Sequence, residues 1–188
     1  TMVLGAWIAI FREDLKSLLA FSTVSQLGLI TMLLGFGTEA AAVAAMFHIV
    51  NHATFKAALF MTAGIIDHEA GTRSIARLGG LRRLMPITFV IGTIASLSMA
   101  GVAPLNGFLS KELMLEAAAH TSWMGHPYLL GVLATVGAIF SVCYSLRFVW
   151  QVFFGPERDD YPHHPHDPGF GLWVAPAFLV VLVVLIGL

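Results

Sequence analysis

Charged side chains are scarce in this sequence. Only 11% of its 188 residues are Asp, Glu, Lys or Arg, against about 25% in an ordinary soluble domain. The deficit excludes a solvated surface all round. With 57% hydrophobic residues and a mean hydropathy of +0.83, it places the chain in the membrane class. Neither sign of charge dominates. The net charge of −1 excludes the strongly basic footprint of a nucleic-acid-binding protein. Cysteine is almost absent too. Cys143 stands alone, which excludes an internal disulfide and any multi-cysteine metal site, and it is expected to pack as a small apolar residue in a helix. No basic segment followed by a cleavage site opens the chain, so no signal peptide is read. Both ends fall inside apolar stretches, and the chain reads as an internal piece of a longer membrane protein.

What is present is a succession of apolar runs. A bilayer core about 30 Å thick needs roughly 20 apolar helical residues. On that measure the candidate spans are residues 2–11 (partial), 15–36, 40–66, 84–119 (interrupted near 101–107), 127–154 and 172–188 (partial). The whole of 1–188 is expected to form one all-α, polytopic transmembrane unit. Residues 155–171, rich in Pro, Asp and His, read as an exposed loop. Lys and Arg collect in loops 12–16, 67–83 and 155–171, and are missing from 37–39 and 119–126. Alternating spans put the three basic loops on one side, cytoplasmic by the positive-inside rule. That requires 84–119 to cross once as a broken helix. A full span followed by a re-entrant half helix would give the same sides.

The segment 48–60 reads HIVNHATFKAALF, and it carries groups that lipid disfavours. His48, His52 and Lys56 are spaced four and four, so they drift only about 80° around a helix and form a ladder about 12 Å long. Asn51 lies beside it. Ionisable groups within spans face the bundle interior or a wet cavity and mark ion pathways, and histidine exchanges protons near neutrality. The ladder is therefore read as a proton relay. The plainer reading, hydrogen-bonded helix contacts with Lys56 snorkelling, is disfavoured because Lys56 lies about 15 Å from the basic-side end of its span. Haem or metal ligation by the i,i+4 histidines lacks a second histidine pair at membrane depth. No metal site and no cofactor are expected.

Residues 101–112, GVAPLNGFLSKE, interrupt the next span. Pro104 removes a backbone donor, Gly101 and Gly107 loosen the chain, and irregular backbone at this depth lines water or is buried in protein. Lys111 follows the break, near the start of a second half helix that Asn106 is expected to cap. The positive end of that half helix disfavours a fixed ammonium, which suits Lys111 to loading and releasing a proton. The plainer reading pairs Lys111 with Glu112 or Glu116. Those two carboxylates, four apart, are candidate counter-charges or an exit route. Ser22, Thr23, Ser25 and Gln26 make a polar band read chiefly as helix packing, with hydration of the path as the alternative. Asp67 and Glu69 are candidate proton acceptors at the basic surface, though a solvated helix end is favoured. His163, His164 and His166 read as a solvated loop, and Arg147 as a snorkelling side chain.

Taken together, these stretches resemble the antiporter-like membrane subunits shared by respiratory complex I and Mrp-type cation/proton antiporters. The resemblance rests on DLKSLLAFSTVSQLG (14–28), HIVNHATFKAALF (48–60), LGGLRRLMP (78–86) and GVAPLNGFLSKE (101–112). GIIDHEAGTR (64–73) and FFGPERDDYPHHPH (153–166) are more similar to the large A subunit of Mrp antiporters than to complex I. The resemblance implies a fourteen-helix core with two inverted five-helix repeats, of which this chain carries the later part. It implies that Lys111 ends the central polar axis and that His48, His52 and Lys56 link it to the centre. The first repeat's glutamate–lysine pair would lie upstream, so this segment alone would not be a complete antiporter.

The expected function is the proton-translocating part of a multisubunit Na⁺(K⁺)/H⁺ antiporter, with no bond-making chemistry. The expected partners are protons, Na⁺ or K⁺, other small membrane subunits and the lipid bilayer, with no nucleic acid. The expected setting is the cell membrane, a bacterial inner membrane. The alternatives are a redox-driven pump subunit of a complex I-like NADH:quinone oxidoreductase and, in another class, a structural scaffold subunit.

Overall fold

The computed structural model describes residues 1–158 and 160–188; Asp159, in the expected exposed loop, lies outside the described residues. The described chain is helical: α1 Met2–Ile10, α2 Leu15–Leu34, α3 Glu39–Ala70, a short α4 Leu81–Leu84, α5 Pro86–Ala100, α6 Asn106–Ala119, α7 Leu129–Val149 and α8 Phe170–Gly187. A π-helical turn, Trp150–Phe154, prolongs α7. Four of these segments are long and apolar enough to cross a membrane: α2, α3, α7 with its extension, and α8. The helix ends carry local reasons. Asp14 caps α2 by accepting from Ser17 N at 2.8 Å, and Thr38 caps α3 by accepting from Ala41 N at 3.3 Å. Gly71 ends α3 at φ +68°, a left-handed position that favours glycine.

With 15 and 14 residues, α5 and α6 are each only about 22 Å long, too short to cross a bilayer core alone. Joined through the irregular stretch 101–105, they make one broken crossing, with no re-entrant return among the described residues. The three basic loops accordingly meet at one end of the bundle. Leu15 N donates to Arg73 O at 3.0 Å, and Ile75 N donates to Glu13 O at 2.6 Å. Arg73 pairs with Asp14, Lys16 with Asp67 at 2.8 Å, and Arg83 with Glu157 at 2.6 Å. Tyr161 donates to Gly79 O at 2.7 Å. Arg147 reaches this end as a snorkelling side chain does, but its guanidinium is committed to the Ile10 and Arg12 carbonyls, fixing the α1–α2 turn.

Asp167 caps α5. Its carboxylate accepts from Ile87 N at 2.8 Å, Thr88 N at 3.0 Å and Thr88 Oγ1 at 2.8 Å. The two amides are orphans of the first helical turn, where negative charge is also favoured by the helix dipole. Asp167→Ala should therefore destabilise the chain by about 1–2 kcal/mol, read as a lowered thermal midpoint of the purified protein.

Two apolar clusters divide the interior. One, toward the basic-loop end, includes Leu15, Leu18, Leu19, Phe55, Ile66, Phe148 and Phe153. The other, toward the opposite end, includes Met2, Leu29, Leu33, Ala41, Ala45, Met114 and Ala118. On α2 the two are separated by Ser22, Ser25 and Gln26, and on α3 by His48, Asn51 and His52, all buried. A polar layer thus lies at mid-depth, between two greasy caps.

Candidate functional site

The site is built on α3, against α2, α6 and α7. His48 is fully buried and satisfied on both ring nitrogens: Nδ1 lies 2.9 Å from Ser110 Oγ on α6, and Nε2 lies 2.9 Å from Gln26 Oε1 on α2. One turn on, the His52 ring sits 5.8 Å from that of His48 and edge-on to Phe55 at 5.5 Å. His52 Nε2 is buried with no partner among the described residues. Another turn on, Lys56 donates to Leu19 O at 3.2 Å and to the Ser22 hydroxyl. The three side chains expected to form a ladder do share one buried face.

The break is held by a lattice of amides and hydroxyls. Asn106 Nδ2 donates to Asn51 Oδ1 at 3.2 Å and to Thr54 Oγ1 at 3.0 Å, and Asn51 Nδ2 donates to Asn106 O at 3.1 Å. Ser98 donates to Asn106 Oδ1 at 2.6 Å and accepts from Gly107 N at 3.1 Å. This corrects the expected role of Asn106. It is the first residue of α6, not its cap, and Ser98 across the break satisfies the orphan amide instead. The cause is tertiary: Ser98 takes the Asn106 oxygen that a cap would use, and Asn51 and Thr54 take its amide.

Lys111 departs from expectation in an instructive way. Its amine does not sit at the positive end of α6. It reaches back to the C-terminal end of α5, donating to Met99 O at 2.8 Å, Ala100 O at 3.1 Å and Ser141 Oγ at 2.6 Å. Those carbonyls belong to the last turn of a helix and carry the negative end of its dipole. The amine thus bridges the two halves of the broken helix. Gly101 (φ +85°) makes room for it, because a Cβ there would stand 2.8 Å from Lys111 Cδ. Neither Lys56 nor Lys111 takes part in any ion pair among the described residues. Two buried amines without a carboxylate partner are costly to keep charged.

The remaining candidates divide by position. Gln26 belongs to the site. It joins His48 of α3 to Tyr144 of α7, to which its amide donates at 3.1 Å, the helix-joining contact expected of the band. Ser25 is buried, but its hydroxyl has no partner among the described residues and joins nothing. Glu112 and Glu116 are exposed. They line an outward groove of about 720 Å³ that Lys111 also lines, and neither pairs with it. Asp67 and Glu69 lie at the basic-loop end, remote from the ladder. Asp67 binds Lys16, and Glu69 is held between His68 at 3.0 Å and His166 at 3.4 Å. His163 and His164 are exposed, and Cys143 sits in α7 but faces outward rather than into the core. Ser110, Ser141 and Tyr144 were not singled out from the sequence. The last two, three apart in an apolar span with Ser145 beside them, are a polar stripe that helical spacing would have revealed.

Residues 1–141 match the family model described as NADH:quinone oxidoreductase/Mrp antiporter, transmembrane. The chain belongs to that family. Across its whole length it is 53% identical, over 193 residues, to a Rhizobium meliloti protein named as the A/B subunit of a probable K⁺/H⁺ antiporter. Over 94% of its length it is 44% identical to a Staphylococcus aureus protein named as the A1 subunit of a Na⁺/H⁺ antiporter. Its fold superposes on a chain of the Mrp complex from Dietzia sp. DQ12-45-1b with a TM-score of 0.88, at 40% identity over the whole chain. It spans 19% and 25% of the two relatives and 20% of the solved chain. The chain is thus an all-α multi-pass membrane segment of the antiporter-like kind.

Proposed function

We propose that this segment moves protons within a multisubunit cation/proton antiporter of the Mrp type. The observation that carries the reading is Lys111, buried, without a counter-carboxylate among the described residues, and clasped across a broken helix. A charged amine is held there by the carbonyls of Met99 and Ala100 and by Ser141. Loss of its proton weakens that clasp, so the break and the charge are coupled. Ser110, which contacts one nitrogen of His48, immediately precedes Lys111, and His52 and Lys56 continue the row on α3. No direct hydrogen bond joins Lys56 to His52, or Ser110 to Lys111. Water supplies those links in this reading. A separate small cavity of about 10 Å³, lined by Gln26 and Lys111 among mostly apolar side chains, is of the order of one water molecule.

Cation movement is coupled to the row by repulsion between like charges. The two relatives are named for K⁺ and for Na⁺, and either cation is compatible with the row. The small membrane subunits of such a complex are the proposed partners. The end that gathers Arg12, Lys16, Arg73, Arg77, Arg82, Arg83 and Arg158 is assigned to the cytoplasm of a bacterial cell by the positive-inside rule. The rival reading, a redox-driven pump, shares the row and differs in its source of energy. Vesicles containing the purified complex separate the two. An imposed Na⁺ or K⁺ gradient should drive proton uptake, read with a pH-sensitive dye. Proton movement that needs NADH and quinone and ignores the cation gradient would favour the rival.

A further inference from the structure

The hydrogen bonds around His48 have a property that its position in the row alone does not require. They run as a chain from Ser110, the residue before Lys111, to Tyr144, which lies beside a partner of Lys111. Ser110 contacts His48 Nδ1, His48 Nε2 contacts Gln26, and Gln26 contacts Tyr144. Ser141 is the other polar neighbour of the Tyr144 phenol, and Ser141 accepts from Lys111. Every member of that chain except Gln26 is a hydroxyl or an imidazole. Gln26 differs in kind. Its two ends are a donor and an acceptor of nearly the same shape, and a half-turn of the amide exchanges them.

Two complete arrangements follow. In the one drawn by the structure, Gln26 Nε2 donates to Tyr144 and Gln26 Oε1 accepts from His48 Nε2. The ring then carries its proton on Nε2, and Nδ1 accepts from Ser110. In the other, the amide has turned. Tyr144 donates to the Gln26 oxygen, the Gln26 amide donates to His48 Nε2, and the ring carries its proton on Nδ1 and donates it to Ser110. Ser110 can then donate to Gly107 O, 3.3 Å away. Each arrangement gives both nitrogens of His48 and both ends of the Gln26 amide a partner, and the second reverses the direction of the bonds from Ser110 to Tyr144.

We propose that Gln26 is a positioning residue that sets the tautomer of His48 and, by turning its amide against Tyr144, resets it. The inference rests on the relay reading above. An imidazole that takes a proton on one nitrogen and gives one up from the other is left in the opposite tautomer. It cannot pass a second proton in the same direction until it is restored. The Gln26 amide and the Tyr144 hydroxyl are the groups placed to restore it.

The test is ¹⁵N NMR of histidine-labelled complex in lipid, with the His48 signals assigned by their loss in His48→Gln. The wild type should show His48 in both neutral tautomers. In Gln26→Met, Nε2 has no partner, and a buried orphan N–H is tolerated less well than an unused ring acceptor. The Nδ1-protonated form should therefore gain by roughly tenfold, the equilibrium worth of about one hydrogen bond. Tyr144→Phe, which removes one oxygen and keeps the packing, should shift the ratio the same way. It leaves the Gln26 amide best used as a donor to Nε2, so an unstable Gln26→Met would not remove the test. A single His48 tautomer in the wild type, or an unchanged ratio in Tyr144→Phe, would overturn the proposal. Transport is read separately. A shifted ratio with normal antiport would support the role of Gln26 and count against the relay.

Discussion

Lys111→Ala should abolish antiport by the whole complex while the complex still assembles. Loss of a positioned proton-transfer group typically costs about 10²–10⁴ in rate, and no other amine among the described residues bridges the break. The fold should survive, for reasons visible around the site. Alanine is the best helix former for α6. Ser141 continues to donate to Met99 O at 2.9 Å, so the end of α5 keeps a donor. The lattice of Asn51, Asn106 and Ser98 does not involve Lys111 at all. Lys111→Arg sharpens the result. A guanidinium keeps the positive charge against the α5 carbonyls but does not give up its proton in proteins. It should therefore transport no better than alanine. The measurement is cation-driven proton uptake in vesicles, with the composition of the complex checked on the same sample. Antiport sustained by arginine would reduce Lys111 to a fixed charge, and antiport sustained by alanine would remove it from the mechanism.

The second large effect belongs to the row itself. Replacing His48 and His52 with Leu and Lys56 with Met, together, should bring proton flux to background with little loss of stability. Exchanging buried polar or charged groups for apolar ones of similar size is often neutral or stabilising, provided their former partners are not orphaned. Here the hydroxyl and amide partners each have a second bond. Ser22 donates to Leu19 O at 2.8 Å, Gln26 retains Tyr144, and Ser110 has Gly107 O. Flux that persists in the triple variant, in a complex of normal composition, would favour the scaffold reading.

The order of the helices, the ladder and the broken crossing were legible in the sequence because each depends on local periodicity and on two kinds of breaker, Pro and Gly. The collection of basic loops at one end followed from counting charges against alternating spans. What the sequence did not reveal lies in where long side chains go. Lys111 was placed by its helix, at the positive end of α6. Side chains near the start of a helix lean back toward its N-terminus, and that lean carries the Lys111 amine over the break to Met99 and Ala100. Asn106 had the chemistry of a cap, but Ser98 takes its oxygen, and Asn51, 55 residues away, accepts from its amide and donates to its backbone carbonyl. The Gln26–Tyr144 contact joins residues 118 apart in the chain, and no local pattern encodes it.

The central claim is that the buried row is continuous and wet. A cryo-EM map of the whole complex, at a resolution that places water oxygens, tests it most directly. The account predicts water within hydrogen-bonding distance of His52 Nε2 that joins it to Lys56, and water in the small cavity lined by Gln26 and Lys111. Dry side chains packed between those groups, or a His52 ring turned toward acyl chains, would contradict it.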